Sequence, residues 1–141
     1  MRPEVFEALG GVALILHAGD VGGAAVLEEL RAIAPVLAVH GNVDAPGDPA
    51  LESFLTLHRE GVSIHVSHGH ELGSPTAVAL LARYSEDVIV FGHTHRAVIE
   101  RSNFRLVVNP GAAGPRRFNL KPSVARLTVR AGKADAELIW L

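Results

Sequence analysis

Five residues of metal-binding type, Asp20, Asn42, His68, His93 and His95, each lie just after a short apolar run and within three residues of a glycine. The segments read LILHAGD to position 20, LAVHGN to 42, IHVSHGH to 70 and VFGHTH to 95. Imidazoles combined with a carboxylate and an amide oxygen form a mixed N/O donor set suited to Mn²⁺, Zn²⁺, Fe or Ni²⁺, whereas an all-oxygen set would suit Mg²⁺ or Ca²⁺. A carboxylate can bridge two ions, and two ions about 3.5–4 Å apart can clamp an in-line phosphoryl displacement. On an extended backbone His93 and His95, at i and i+2, would point the same way and serve one ion each. Any one of these histidines alone is equally well explained as a surface or hydrogen-bonded structural residue. Four strand ends that agree, each with its glycine, are not.

Four elements must then deliver these residues to one place. The runs VALIL (12 to 16), VLAV (36 to 39), VSIHV (62 to 66) and VIVF (88 to 91) read as buried strands. Between the first two, Val26, Leu27, Leu30 and Ile33 recur at helical spacing before Pro35; between the last two, SPTAVALLARYSED predicts a helix capped by Ser74 with Pro75 at its first position. Two βαβ units follow, and in such sheets ligands bind beyond the carboxyl ends of the strands. Residues 44 to 60 are expected to be a loop leading into a strand. RLVV, SVARLTV and AELIWL are expected to form antiparallel strands that complete a second sheet. His17, His40, His58, His65 and His70 are expected to be structural or surface residues: His65, mid-strand, packed or hydrogen-bonded, and His58 on a surface loop.

The 141 residues, 48% hydrophobic, are enough for one α/β domain over 1 to 141. Thirteen basic and 15 acidic residues are spread along the chain for a net charge of −2, so neither a nucleic-acid footprint nor a polybasic membrane patch is expected. With no cysteine, disulfides, thiolate catalysis and Cys-based zinc sites are excluded. Glu4 and Glu7 stand where a secretory signal would be basic and then apolar, so a cytoplasmic protein is expected.

GD at 20, GN at 42, HGH from His68, and GHTH to 95 resemble, in order, the motifs of calcineurin-like metallophosphoesterases, particularly the small bacterial and archaeal phosphodiesterase branch. NPGAAGPRRF, 109 to 118, is similar to that branch's NPGS segment. The resemblance implies a four-layer αββα sandwich and hydrolysis of phosphate mono- or diesters by metal-activated water, with a phosphate-ester small molecule as substrate. It implies two divalent metals in the family, most often Mn²⁺, and one or two here. Asp20 would be the bridging carboxylate, Asn42, His68 and His93 would complete one site, and His95 would belong to the other; His70 would lie behind the ligands or on the surface.

The resemblance has gaps. The family's opening strand ends in Asp-x-His, and no such tripeptide occurs here; RPEVFEAL resembles the helix that follows it. The sequence is therefore expected to be N-terminally truncated by one strand, with Met1 an internal or misassigned start, and the strands beside the gap are expected to favour a homo-oligomer. Val43 follows Asn42 where many relatives carry a proton-donating histidine, which leaves His40 and Asp44 as candidate general acids. Ala112 replaces the serine of NPGS. The rival expectation is a non-catalytic protein-binding scaffold of the same fold, like the retromer subunit that resembles this branch.

Overall fold

Burial on both faces of three adjacent strands organises the molecule, a computed structural model that describes residues 3–20, 24–41, 51–73, 75–113 and 121–141. Strand β4 (Val62–Ser67), β5 (Val88–Val90) and β7 (Arg105–Asn109) lie side by side, with β3 (Phe54–Arg59) on one edge and β6 (Val98–Ser102) on the other. Val62, Ile64, Val66, Val88, Val90, Leu106 and Val108 form one buried cluster with Leu127, Val129, Ala134 and Ala136 packed against it. The intervening Ile89 and Val107 meet Leu80 of helix α3 (Ala77–Arg83) on the opposite face. Buried on both faces, β5 and the centre of β7 read as continuous apolar runs, whereas β4 alternates Val62, Ile64 and Val66 with Ser63, His65 and Ser67.

The second sheet layer comes from two pairs. Strand β1 (Ile15–His17) runs parallel to β2 (Val36–Ala38), and β8 (Ser123–Arg130) runs antiparallel to β9 (Lys133–Trp140). Their outer faces share a cluster of Ile15 and Val124 with Val5 and Leu9 of helix α1 (Pro3–Ala8) or its end, and with Leu30 of helix α2 (Ala24–Arg31). The order of layers is thus α1/α2, second sheet, five-stranded sheet, α3: the αββα sandwich. Arg126 of β8 fastens α1 by donating to the carbonyls of Ala8 and Gly10, at 3.1 and 3.2 Å.

Both βαβ units are present, β1–α2–β2 and β4–α3–β5, each with parallel strands. Several local expectations need correction. The first strand covers 15 to 17 rather than 12 to 16, because Val12 is drawn into the turn that ends α1 by its bond to the Leu9 carbonyl. Helix α2 ends at Arg31, four residues before Pro35. Helix α3 starts at Ala77 with Thr76 as its cap, the hydroxyl accepting from the Ala79 amide, so Pro75 precedes the helix; Ser74 lies outside the described residues. RLVV is not in the second sheet: it is the core of β7, parallel to β5. Residues 54 to 59 are edge strand β3, where Leu55 and Leu57 turn inward, so His58 is exposed on a strand and not on a loop.

Candidate metal centre

The carboxyl ends of β1 and β4 and the turn after β5 meet where the two sheets face each other. His68, the first residue after β4, is 2% exposed. Its Nδ1 lies 2.8 Å from the carbonyl of Ala18, and a carbonyl can only accept, so Nδ1 carries the proton. Burial pushes this imidazole below its ordinary value, against the opposite pull of the Ala18 bond and of Asp20. It is therefore neutral at pH 7, and Nε2 carries the ring's lone pair. That lone pair faces Asp20 Oδ2 at 3.2 Å and His93 Nδ1 at 3.3 Å.

A neutral imidazole nitrogen and a carboxylate oxygen held lone pair to lone pair repel unless a cation lies between them. Two donors each about 2.1 Å from one ion, at angles between octahedral and tetrahedral, stand about 3.0–3.4 Å apart. Both separations around His68 Nε2 fall in that range, so the residues present fit a divalent ion. The contacts are pairwise and radiate from His68. Among the described residues no three His, Asp or Glu side chains already form a complete cage, and Asn42, expected as a further donor, lies outside them.

The backbone carries a second mark of the site. Among the described residues other than glycine, positive φ occurs at six: Asp20 (52°), Glu60 (51°), His93 (68°), His95 (62°), Asn103 (56°) and Ala131 (50°). Glu60, Asn103 and Ala131 occupy the tight hairpin turns β3–β4, β6–β7 and β8–β9, where the twist of the strands demands that conformation. The three left unexplained by any hairpin are expected metal ligands. Strained φ of this kind clusters at functional sites. Two glycines permit the close approach: a Cβ at Gly19 (φ 95°) would stand 2.5 Å from His68 Nδ1, and one at Gly41 would fall on the backbone nitrogen and Oδ1 of Asp20.

GHTH is not extended. The left-handed residues on either side of Thr94 curl it into a turn, so the i, i+2 alternation expected of it does not hold. His95 sits half-buried two residues beyond His93. His70, assigned no ligand role from the sequence, stands in the imidazole group, its ring 5.1 Å from that of His68 and 6.2 Å from that of His93. His40 donates its backbone amide to the Glu52 carbonyl, beside the bridge between Val39 and Glu52. Asp44, the other candidate acid, lies outside the described residues.

Glu71 and Tyr84 went unnoticed in the sequence, and Asn109 entered it only as the first residue of the NPG segment. Glu71 accepts the Gly69 amide at 3.1 Å and the Tyr84 hydroxyl at 2.9 Å, which secures the HGH turn. Tyr84 in turn stacks on His65, ring centroids 3.7 Å apart, which makes His65 the packed core histidine expected of it. Asn109, wholly buried at the end of β7, bonds Gly92, Thr94 and Gly111. No spacing rule marks these three, because their partners are set by the meeting of loops.

Comparison with known proteins agrees with this geometry. The model of the calcineurin-like phosphoesterase superfamily domain matches residues 1–132. A probable metallophosphoesterase of Methanothermobacter thermautotrophicus is 34% identical over 141 aligned residues, covering 97% of this chain and 81% of the relative. Among solved structures, an archaeal phosphodiesterase superposes with a TM-score of 0.74 at 22% identity, covering 96% of this chain and 88% of that one. Vps29 from Entamoeba histolytica, solved with Zn²⁺, superposes with a TM-score of 0.79 at 22% identity, covering 99% of this chain and 90% of that one; at that identity both structures speak for the fold. The chain belongs to the calcineurin-like phosphoesterase superfamily.

Proposed function

We propose that the chain is a metal-dependent phosphoesterase that hydrolyses phosphate mono- or diesters, its centre built on Asp20, His68 and His93. The observation that carries this reading is the convergence on Nε2 of buried His68 of a carboxylate oxygen at 3.2 Å and a second imidazole at 3.3 Å. Asn42 is the fourth donor of this site, and His95 belongs to a second. Mn²⁺ is the ion of choice, with Zn²⁺, Fe and Ni²⁺ as alternatives compatible with the N/O set. When bound, such an ion supplies a Lewis acid for the phosphoryl oxygens and lowers the pKa of its water toward neutrality.

The chain's own residues do the rest. Ala18 holds the His68 proton on Nδ1, so that Nε2 is always available. The Gly19 and Gly41 backbones press Asp20 against it. His40 or Asp44 protonates the leaving oxygen, and the substrate is a small phosphate ester met in the cytoplasm. No helix among the described residues is long and apolar enough to cross a membrane.

The test is equilibrium dialysis against Mn²⁺ paired with hydrolysis of bis(p-nitrophenyl) phosphate. Near one ion per chain, lost in His93→Ala together with any turnover, is the expected outcome; equal binding by wild type and variant would remove the assignment. A second reading, a scaffold of the same fold, draws on the likeness to Vps29 and on exposed Phe54 and Phe104, 60% and 75% accessible. In that case the chain would stay metal-free in excess Mn²⁺ and hydrolyse nothing.

A further inference from the structure

Two histidines in one four-residue turn hold left-handed backbone, at φ 68° and 62°. Left-handed backbone is unfavourable in an L-residue, so surrounding structure must fix the turn. Its own backbone bond is a short one, from the Thr94 amide to the Gly92 carbonyl at 2.8 Å. The remaining restraint comes from Asn109, fully buried at the carboxyl end of β7. Its Nδ2 donates to the Gly92 carbonyl at 3.2 Å and to Thr94 Oγ1 at 3.0 Å, while its Oδ1 accepts the Gly111 amide at 2.9 Å. Both N–H groups and the oxygen of the carboxamide are thus in use. Thr94 Oγ1 also accepts the Arg96 amide, at 3.3 Å, so one hydroxyl closes the turn on both sides of His95.

The anchor itself is rigid. Gly111 belongs to a loop tied to β8 through Ser123, whose hydroxyl donates to the Pro110 carbonyl at 2.7 Å and whose amide donates to the Ala112 carbonyl at 3.1 Å. Gly92, at the other end, donates its amide to the His68 carbonyl at 3.0 Å. The carboxamide therefore joins the two sheets and the two histidine-bearing turns at one point. We propose that Asn109, acting through Thr94, is a positioning residue that presets the strained turn carrying His93 and His95, so that both imidazoles are in place before a metal arrives. This deepens the metal-centre reading and rests on it for its effect on binding, but not for the effect on the turn.

The test uses Thr94→Val, which keeps the branched shape and removes only the hydroxyl, and Thr94→Ser, which restores it; Asn109→Asp, which removes the two donors, is added if it folds. Thr94→Val should weaken Co²⁺ binding about tenfold and alter the visible d–d spectrum, and Thr94→Ser should return both to the wild-type values. Without metal, the amides of Thr94 and Arg96 should exchange with deuterium about tenfold faster in Thr94→Val, while that of Val107 keeps its wild-type rate. Wild-type Co²⁺ affinity and spectrum in Thr94→Val would overturn the proposal. If the wild-type protein binds no Co²⁺, the metal-centre reading fails, and amide exchange alone decides whether the lock exists: unchanged rates at Thr94 and Arg96 would sink it too.

Discussion

The hairpin turns and the ligand turns of this protein use the same left-handed backbone for opposite reasons. At Glu60 and Ala131 the residue precedes a glycine that is also left-handed, at φ 78° and 79°, and two such residues give the turn that matches strand twist. The strain there is answered locally by β-pairing on both sides. At Asp20, His93 and His95 no strand returns, and the conformation is held by contacts brought from elsewhere: Gly19 and Gly41 around Asp20, and Asn109 around the GHTH turn. The difference teaches that positive φ in this chain is a structural economy in one set of turns and a functional demand in the other. Substitutions that suit left-handed backbone should be harmless or helpful in the first set and should trade binding against stability in the second.

The largest effect should come from Gly19→Ala. The new Cβ would stand 2.5 Å from His68 Nδ1 in a conformation unfavourable to alanine, and it would push the ring off the Ala18 carbonyl. A loss of about 3 kcal/mol in urea unfolding is expected from overpacking and backbone strain together, with metal binding abolished. A melting temperature equal to wild type would show that the approach at this glycine is not tight.

A pH effect should come next. Burial pushes His65 and His68 below the ordinary value of 6.5. The unfolded chain then takes up protons that the folded chain refuses, so stability is complete above 6.5 and is lost as pH falls through that value toward the lower folded one. In chemical unfolding at a series of pH values, His65→Gln should show a shallower decline than wild type over this window. An unchanged slope would mean that burial does not hold the His65 ring neutral.

The smallest effect belongs to the hairpins. Ala131→Asn places the residue type best suited to left-handed backbone before Gly132, and a gain of about 0.5–1 kcal/mol is expected, with metal affinity untouched. A loss of stability there would blur the distinction between the two sets of turns.

What the sequence shows of this design follows from the range of each interaction. The β5 run is legible because a strand buried on both faces is apolar throughout, β4 is legible by the alternation of Val62, Ile64 and Val66, and the glycines beside Asp20, Asn42, His68 and His93 are legible because each stands next to its polar residue in the chain. Edge strand β3 shows its inward Leu55 and Leu57 only as a weak alternation beneath a Pro- and Gly-rich approach. The curl of GHTH was hidden, because the pattern i, i+2 says nothing about φ at histidine. The work of Asn109 was hidden more deeply: its hydrogen-bonded partner Thr94 is 15 residues away, on another loop.

Asp20→Asn, measured by calorimetric titration with Mn²⁺ and by metal-free thermal melting, tests the central claim most directly. Without metal, the carboxylate faces the lone-pair side of His68, whose ring proton is on Nδ1 toward Ala18, whereas an amide could donate to Nε2 and would suit the left-handed φ of 52° better. The variant should therefore bind Mn²⁺ at least 100-fold more weakly, as about 3 kcal/mol of lost ligation gives, and yet its metal-free form should be more stable by about 1 kcal/mol. A variant that binds Mn²⁺ like wild type, or whose metal-free form melts lower, would contradict the view that Asp20 and His68 are held together for a cation.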